Sequence, residues 1–313
     1  MAPLDKTAAK GRAMTMPQID HVQPQGASRS IWRAIWDFPL VAMIVALGLL
    51  AGVIVGVGKL LSGMPAVASP AVAMLVQTIT AVGLVFFVTK FMIARLGERK
   101  HDDLPLAPAL GDLGRGVALG FGLMALVVGI AAVLGAYRIT GWGSNEDAVR
   151  ILLQAGLFAA FVEEVIFRGV LFRWIEEMLG SWAALAITSA LFGIAHLGNA
   201  NATVFSSVAI ALEAGILLGA CYMLTRSLWL VIGVHMGWNV TQGYLFAVPV
   251  SGHPVRGLVE SELSGPELLS GGAFGLEASV IALCVASLAG LWLLRKAIAQ
   301  GQLRRPMWVK PGR

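Results

Sequence analysis

Two carboxylates and a guanidinium stand inside a stretch that otherwise belongs in lipid, Phe161-Val162-Glu163-Glu164-Val165-Ile166-Phe167-Arg168-Gly169. An ionised group near the bilayer centre costs about 2.5–3.5 kcal/mol on insertion scales, so such groups pair and face the interior of a bundle. Glu164 and Arg168 are four apart and share a helix face, the spacing of an internal ion pair. Glu163 points about 100° away and has no partner on its own helix. A desolvated carboxylate with no adjacent cation is suited to taking a proton from water, the task of a general base. Three more polar intrusions follow. His196 sits near one end of a short apolar run, in Phe192-Gly193-Ile194-Ala195-His196. His235 and Asn239 lie one turn apart in His235-Met236-Gly237-Trp238-Asn239, and Gln242 continues their stripe. Glu213 is a further carboxylate in an apolar run. Taken singly, each reads as interhelical glue or a satisfied packing residue. Two glutamates, two histidines, an arginine and an asparagine between 163 and 239 read together as a site for hydrolysing a peptide bond.

The elements that must position these side chains are membrane helices. Hydrophobic residues make up 57% of the 313 and charged residues 13%, against roughly a quarter charged in soluble domains. Such a chain cannot cover its surface with polar groups, so lipid covers it. Runs of about 20 apolar residues, the length that spans a bilayer core, occur at 38–62, 70–94, 113–136, 149–175, 181–198, 203–225, 227–248 and 275–297. The expected fold is an all-α, polytopic bundle of about eight transmembrane helices. A polar tail over 1–37 precedes the bundle over 38–297, and a basic tail over 298–313 follows it. Gly48, Gly52 and Gly56, Gly116 and Gly120, and Gly215 and Gly219 have the spacing that lets helices approach closely. Cys221 and Cys284 both lie in apolar runs and behave as small hydrophobes, with no disulfide expected.

The net charge of +5 is not a nucleic-acid signal, because the basic residues fall in tails and short loops and form no basic helical face. They set topology instead. With both termini cytoplasmic, only Lys59, Arg138, Arg150 and Arg256 of the 23 Lys and Arg lie outside, as the positive-inside rule requires. The loops 137–148 and 249–274 then face outward.

The motifs resemble a known family. Glu163-Glu164 followed by Arg168 matches the EExxxR signature of the CPBP family, the CAAX-protease and bacteriocin-processing (Abi-like) intramembrane proteases. Phe192 to His196 matches its FxxxH motif and His235 to Asn239 its HxxxN motif, within a segment of about 105–245 taken as the catalytic core. The resemblance implies a helical bundle with a water-accessible cavity inside the membrane. It also implies an endopeptidase acting on membrane-associated peptides or proteins. Glu163 would activate water, His196 would position or polarise it, and His235 and Asn239 would stabilise the oxyanion. Glu164 and Arg168 would support them. Metal dependence stays open: Glu163, His196 and His235 are types that zinc accepts as ligands, but the helical HExxH is absent. Two other classes suit the same residues, a secondary transporter with a buried proton relay and a catalytically silent membrane chaperone or immunity factor. Gly- and Ala-rich helices point to a bacterial plasma membrane.

Overall fold

The computed structural model describes residues 30–62, 69–98 and 100–309. Most of the expected N-terminal tail and the last four residues lie outside these. Within the tail's span, Ile31–Asp37 forms a short helix, α1.

Eight long helices coincide with the eight apolar runs, among the described residues. They are α2 (Pro39–Ser62), α3 (Pro70–Arg95), α4 (Ala109–Val133), α5 (148–179), α6 (Ser181–His196), α7 (Val204–Thr225), α8 (228–245) and α9 (Val280–Ala299). Five are long and apolar enough to cross a membrane by length and composition: α2, α3, α4, α7 and α9. The other three depart from that standard for visible reasons. Charges interrupt α5, α6 has 16 residues, and α8 joins 13 α-helical residues to five π-helical ones. The outer surface is apolar, with Phe87 69% and Leu288 67% exposed. In an all-helical chain such a surface belongs against lipid.

Local chemistry sets the helix ends. Ser69 Oγ accepts from the Val72 N–H and Pro70 opens α3. Thr203 and Ser206 form a reciprocal capping box at the start of α7. The last run was expected to begin at 275, but α9 starts at Val280 because Ser279 Oγ accepts from the Ala282 N–H at 3.1 Å. Capping of this kind satisfies amides that have no partner within the helix. Gly180, at φ +84°, makes the sharp corner between α5 and α6.

The pair α4–α8 is interlocked through glycine. A Cβ on Gly116 or Gly120 would run into the backbone of Leu230 and Val234, and one on Gly233 or Gly237 into Leu113 and Val117. Gly215 and Gly219 likewise meet Ser189 and Leu185 of α6. Gly48, Gly52 and Gly56 correct the expectation: nothing among the described residues lies within 4 Å of a Cβ built there. Among the described residues, nothing packs closely on their face of α2.

One small sheet departs from the all-helical expectation. β1 (Tyr137–Trp142) and β2 (Val259–Leu263) pair antiparallel, Tyr137 opposite Leu263 and Trp142 opposite Val259. It joins the loop before α5 to the loop before α9. At the other end of the bundle, buried ion pairs Arg173–Asp103 and Arg226–Glu176 tie α5 to the 100–108 loop and to the end of α7.

Candidate active site

The buried polar residues sit on helices whose regular winding is interrupted. In α5, π-helical stretches at Ile151–Ala159 and Val165–Phe172 flank Ala160–Glu164. In α7 the interruption is Ala211–Gly215, which carries Glu213, and in α8 it is Thr241–Leu245, just past Asn239. Widened turns of this kind re-aim side chains and concentrate at functional sites.

Glu164 and Arg168 form the expected pair, with Arg168 Nη1 donating to both carboxylate oxygens at 2.9 Å and both side chains fully buried. Arg168 Nη2 donates to the carbonyls of Ala214 (3.2 Å) and Gly215 (3.4 Å) on α7, and the guanidinium lies 4.7 Å from the Phe192 ring centre. One cation thus ties α5 to α7 and α6. Guanidinium suits this task because its planar fork serves several acceptors at once.

Glu164 passes the tie on to α8. His235 Nδ1 is 2.9 Å from Glu164 Oε1. A carboxylate accepts here, so Nδ1 carries a proton, and Nε2 faces the carboxylate of Glu163, 4.0 Å from Oε2. That oxygen is buried without a hydrogen-bond partner among the described residues. His196 repeats the arrangement from α6. Its Nδ1 lies 2.7 Å from the Phe192 carbonyl, which can only accept, so Nε2 offers a lone pair to the cavity. Asn239 Nδ2 donates one proton to Ala155 O at 2.8 Å, which fixes the amide plane and leaves the second N–H.

These four side chains, Glu163, His196, His235 and Asn239, line one cavity of 270 Å³ that also meets Arg150 and the 250–255 segment. The structure therefore brings together every residue that the three motifs singled out. It does not join Gln242 to them: Gln242 Nε2 donates instead to Pro249 O, at 2.5 Å. Glu213 is also buried and stands outside the Arg168–Glu164–His235 chain. It lines an adjoining cavity of 40 Å³ with Glu277, and His196, His235 and Asn239 line both cavities. Glu277 escaped the sequence reading. It accepts from the Ser251 N–H (2.7 Å), Ser251 Oγ (3.0 Å) and Trp238 Nε1 (3.3 Å), and so holds the 250–255 segment against α8. No sequence signal marked it, because its partners lie 26 and 39 positions away.

No group of three His, Cys, Asp or Glu side chains among the described residues is arranged to hold an ion. The rings of His196 and His235 are oriented as metal sites orient them, each ring N–H bonded to a carboxylate or carbonyl.

A membrane bundle holding a Glu–His–Asn cluster on a buried ion pair defines a narrow class, and comparison with known proteins agrees with it. Residues 145–241, which contain all three motifs, match the family model for type II CAAX prenyl endopeptidase Rce1-like proteins. The protein described as "Putative membrane peptidase YdiL", from Bacillus subtilis (strain 168), is 26% identical over 166 residues. That alignment covers 50% of this chain and 63% of the relative. Both findings make the central segment similar to CAAX-protease-like membrane proteins. No solved structure matches the chain.

Proposed function

We propose that the protein is an intramembrane endopeptidase that hydrolyses membrane-associated peptides with water activated by Glu163. What supports this above all is Glu163 Oε2, without a hydrogen-bond partner among the described residues and 4.0 Å from His235 Nε2, at the wall of a cavity shared with His196 and Asn239. Glu163 takes a proton from a water held by the His196 Nε2 lone pair. The hydroxide attacks the substrate carbonyl carbon, and the carbonyl π pair moves onto oxygen. Asn239 N–H and the Nε2–H of the His235 imidazolium stabilise that oxyanion. Preorganised donors of this kind cost no reorganisation when the charge forms. Collapse of the intermediate breaks the C–N bond, and the leaving amine takes the proton from Glu163. The chain Arg168–Glu164–His235 keeps the imidazole oriented, as a carboxylate does for a catalytic histidine.

The test is Glu163→Gln, which keeps shape and removes the base. Turnover of a reporter peptide should fall by about 10²–10⁴, while the melting temperature holds or rises because a buried ionisable group is gone. His196→Ala, His235→Ala and Asn239→Ala should also lose turnover, the last by about 10²–10³. If activity instead followed thermal stability across the series, with Glu163→Gln the mildest change, the residues would be packing elements and the mechanism wrong.

A further inference from the structure

The catalytic cavity reaches one end of the bundle, and the charges on the two ends say which. Its mouth is built from Arg150 at the start of α5, Asn199 just past the end of α6, and the 250–255 segment with His253 exposed. That segment is fastened in place. Asn201 Nδ2 donates to Gly252 O at 3.0 Å, Gln242 holds Pro249, and Glu277 holds Ser251. From the mouth, Glu163 lies 13 residues along α5, roughly 20 Å deep at 1.5 Å per residue.

Below Glu163 the bundle is closed. Phe172, Tyr222 and Leu228 have no exposed surface and Trp174 has 1%. Arg173–Asp103 and Arg226–Glu176 seal the rim. A 510 Å³ recess does lie at that end, beside Asp37, Glu176 and Arg304, but none of the catalytic side chains line it.

The charge asymmetry runs along the same axis. Arg138, Arg150 and Arg256 are the basic residues of the loops around the mouth, and five carboxylates accompany them: Glu146, Asp147, Glu260, Glu262 and Glu267. The closed end carries Lys100, Arg115, Arg173, Arg226, Arg304 and Arg305. Short loops rich in Lys and Arg stay cytoplasmic. Acidic residues count little in that rule, so the weight rests on the basic residues.

We infer that the catalytic cavity opens to the extracytoplasmic face of the membrane, and that the substrates are peptide segments presented there, such as translocated or outer-leaflet-anchored chains. This rests on the peptidase reading and narrows it. A prenylated C-terminus held on the cytoplasmic leaflet would meet the sealed end of the bundle. It is the substrate class that the geometry rejects.

Two measurements on the full-length protein decide this. His253→Cys at the mouth and Arg305→Cys at the closed end are exposed in turn to a membrane-impermeant maleimide in sealed right-side-out vesicles. The unsubstituted protein serves as blank for Cys284, which is exposed on the membrane helix α9, while Cys221 is buried. His253→Cys should label at least ~10-fold faster than Arg305→Cys, because the reagent cannot cross the hydrocarbon core, and permeabilisation should abolish the difference. In parallel, an impermeant quenched-fluorescent peptide, selected from a random library for turnover in detergent, is added outside the same vesicles. It should be cleaved without permeabilisation. Faster labelling of Arg305→Cys, equal labelling of the two, or cleavage that appears only after permeabilisation overturns the inference and leaves the peptidase reading standing. Absence of any cleavage in detergent, with His253→Cys labelled from outside, overturns the peptidase reading and leaves the orientation of the cavity established.

Discussion

Arg168→Ala strikes the one cation on which the site is hung. The guanidinium makes two bonds to Glu164, two to α7 carbonyls and a stacking contact to Phe192. Removing it leaves Glu164 fully buried and ionised, with His235 as its remaining partner. Breaking a buried pair from one side costs about 3–5 kcal/mol, and the lost contact to Phe192 adds up to about 2 kcal/mol where it is desolvated. Arg168→Lys keeps the charge but cannot reach Glu164, Ala214 and Gly215 together, so an intermediate loss is expected. The informative variant is Glu164→Gln with Arg168→Met, which removes both charges. Replacing a buried pair by neutral groups is often close to neutral for stability. The double variant should therefore recover most of the loss shown by Arg168→Ala. It should not recover turnover, because a glutamine amide no longer holds His235 as a charged acceptor does. The assay is reversible unfolding in mixed detergent micelles alongside peptide turnover, read as a double-mutant cycle. Wild-type stability in Arg168→Ala would refute the reasoning and move the guanidinium into contact with substrate.

Other perturbations probe the scaffold. Gly120→Ala drives a methyl into the backbone of α8 at Val234 and Trp238. It should lower the melting temperature and turnover together, whereas Gly52→Ala, with open space around it, should hold or gain the ~0.5–1 kcal/mol that helical glycine forgoes. Asp147 ties the turn before α5 to the mouth segment, accepting from Arg150 Nε at 3.2 Å and the Arg256 N–H at 2.8 Å. Arg150's hydrogen bond, foremost, holds its carboxyl below the usual Asp range. A depressed carboxylate contributes stability that is present above its unfolded pKa, about 3.9, and is lost as pH falls through the folded value. The melting temperature should thus fall more steeply between pH 5 and 3 in the wild type than in Asp147→Asn. Glu277→Ala frees Ser251 and the cavity wall. It should raise KM for the reporter peptide more than it lowers kcat, since the wall shapes binding and touches no reacting atom.

The helices were legible because their signal is local: a 20-residue apolar run carries its own length and composition. The Glu164–Arg168 pair was legible for the same reason, being one helical turn long. What the sequence concealed depends on contacts between distant segments. Gly48, Gly52 and Gly56 have the same spacing as Gly116 and Gly120, yet among the described residues the latter meet another helix and the former do not. Spacing defines a face and says nothing of what packs on it. Gln242 follows Asn239 on the α8 stripe, but the π-helical turn at Thr241–Leu245 rotates it toward Pro249. A register change of that kind breaks the 3.6-residue bookkeeping. The β1–β2 ribbon joins segments more than a hundred positions apart and needs only short alternating stretches in what reads as loop.

Buried carboxylates and histidines also suit a proton-coupled transporter, and the geometry weighs against that class. Alternating access needs a site near the midplane that can be reached from either side, commonly between broken helices whose halves rock. Here the helices around the site run on through their π-helical turns, and the half of the bundle below Glu163 is filled by side chains with almost no exposed surface. Opening it would require breaking Arg173–Asp103 and Arg226–Glu176, each a buried ion pair and each costly to separate. A one-sided cavity is what a hydrolase needs. On the proposed peptidase reading, water and peptide arrive by the same mouth, products leave by it, and the charged chain from Arg168 through Glu164 to His235 stays fixed throughout. A relay must give up its proton to the opposite side, but His235 Nδ1 is committed to Glu164, and Glu164 to Arg168. In the proposed mechanism the proton that moves is the one between water, Glu163 and the leaving amine.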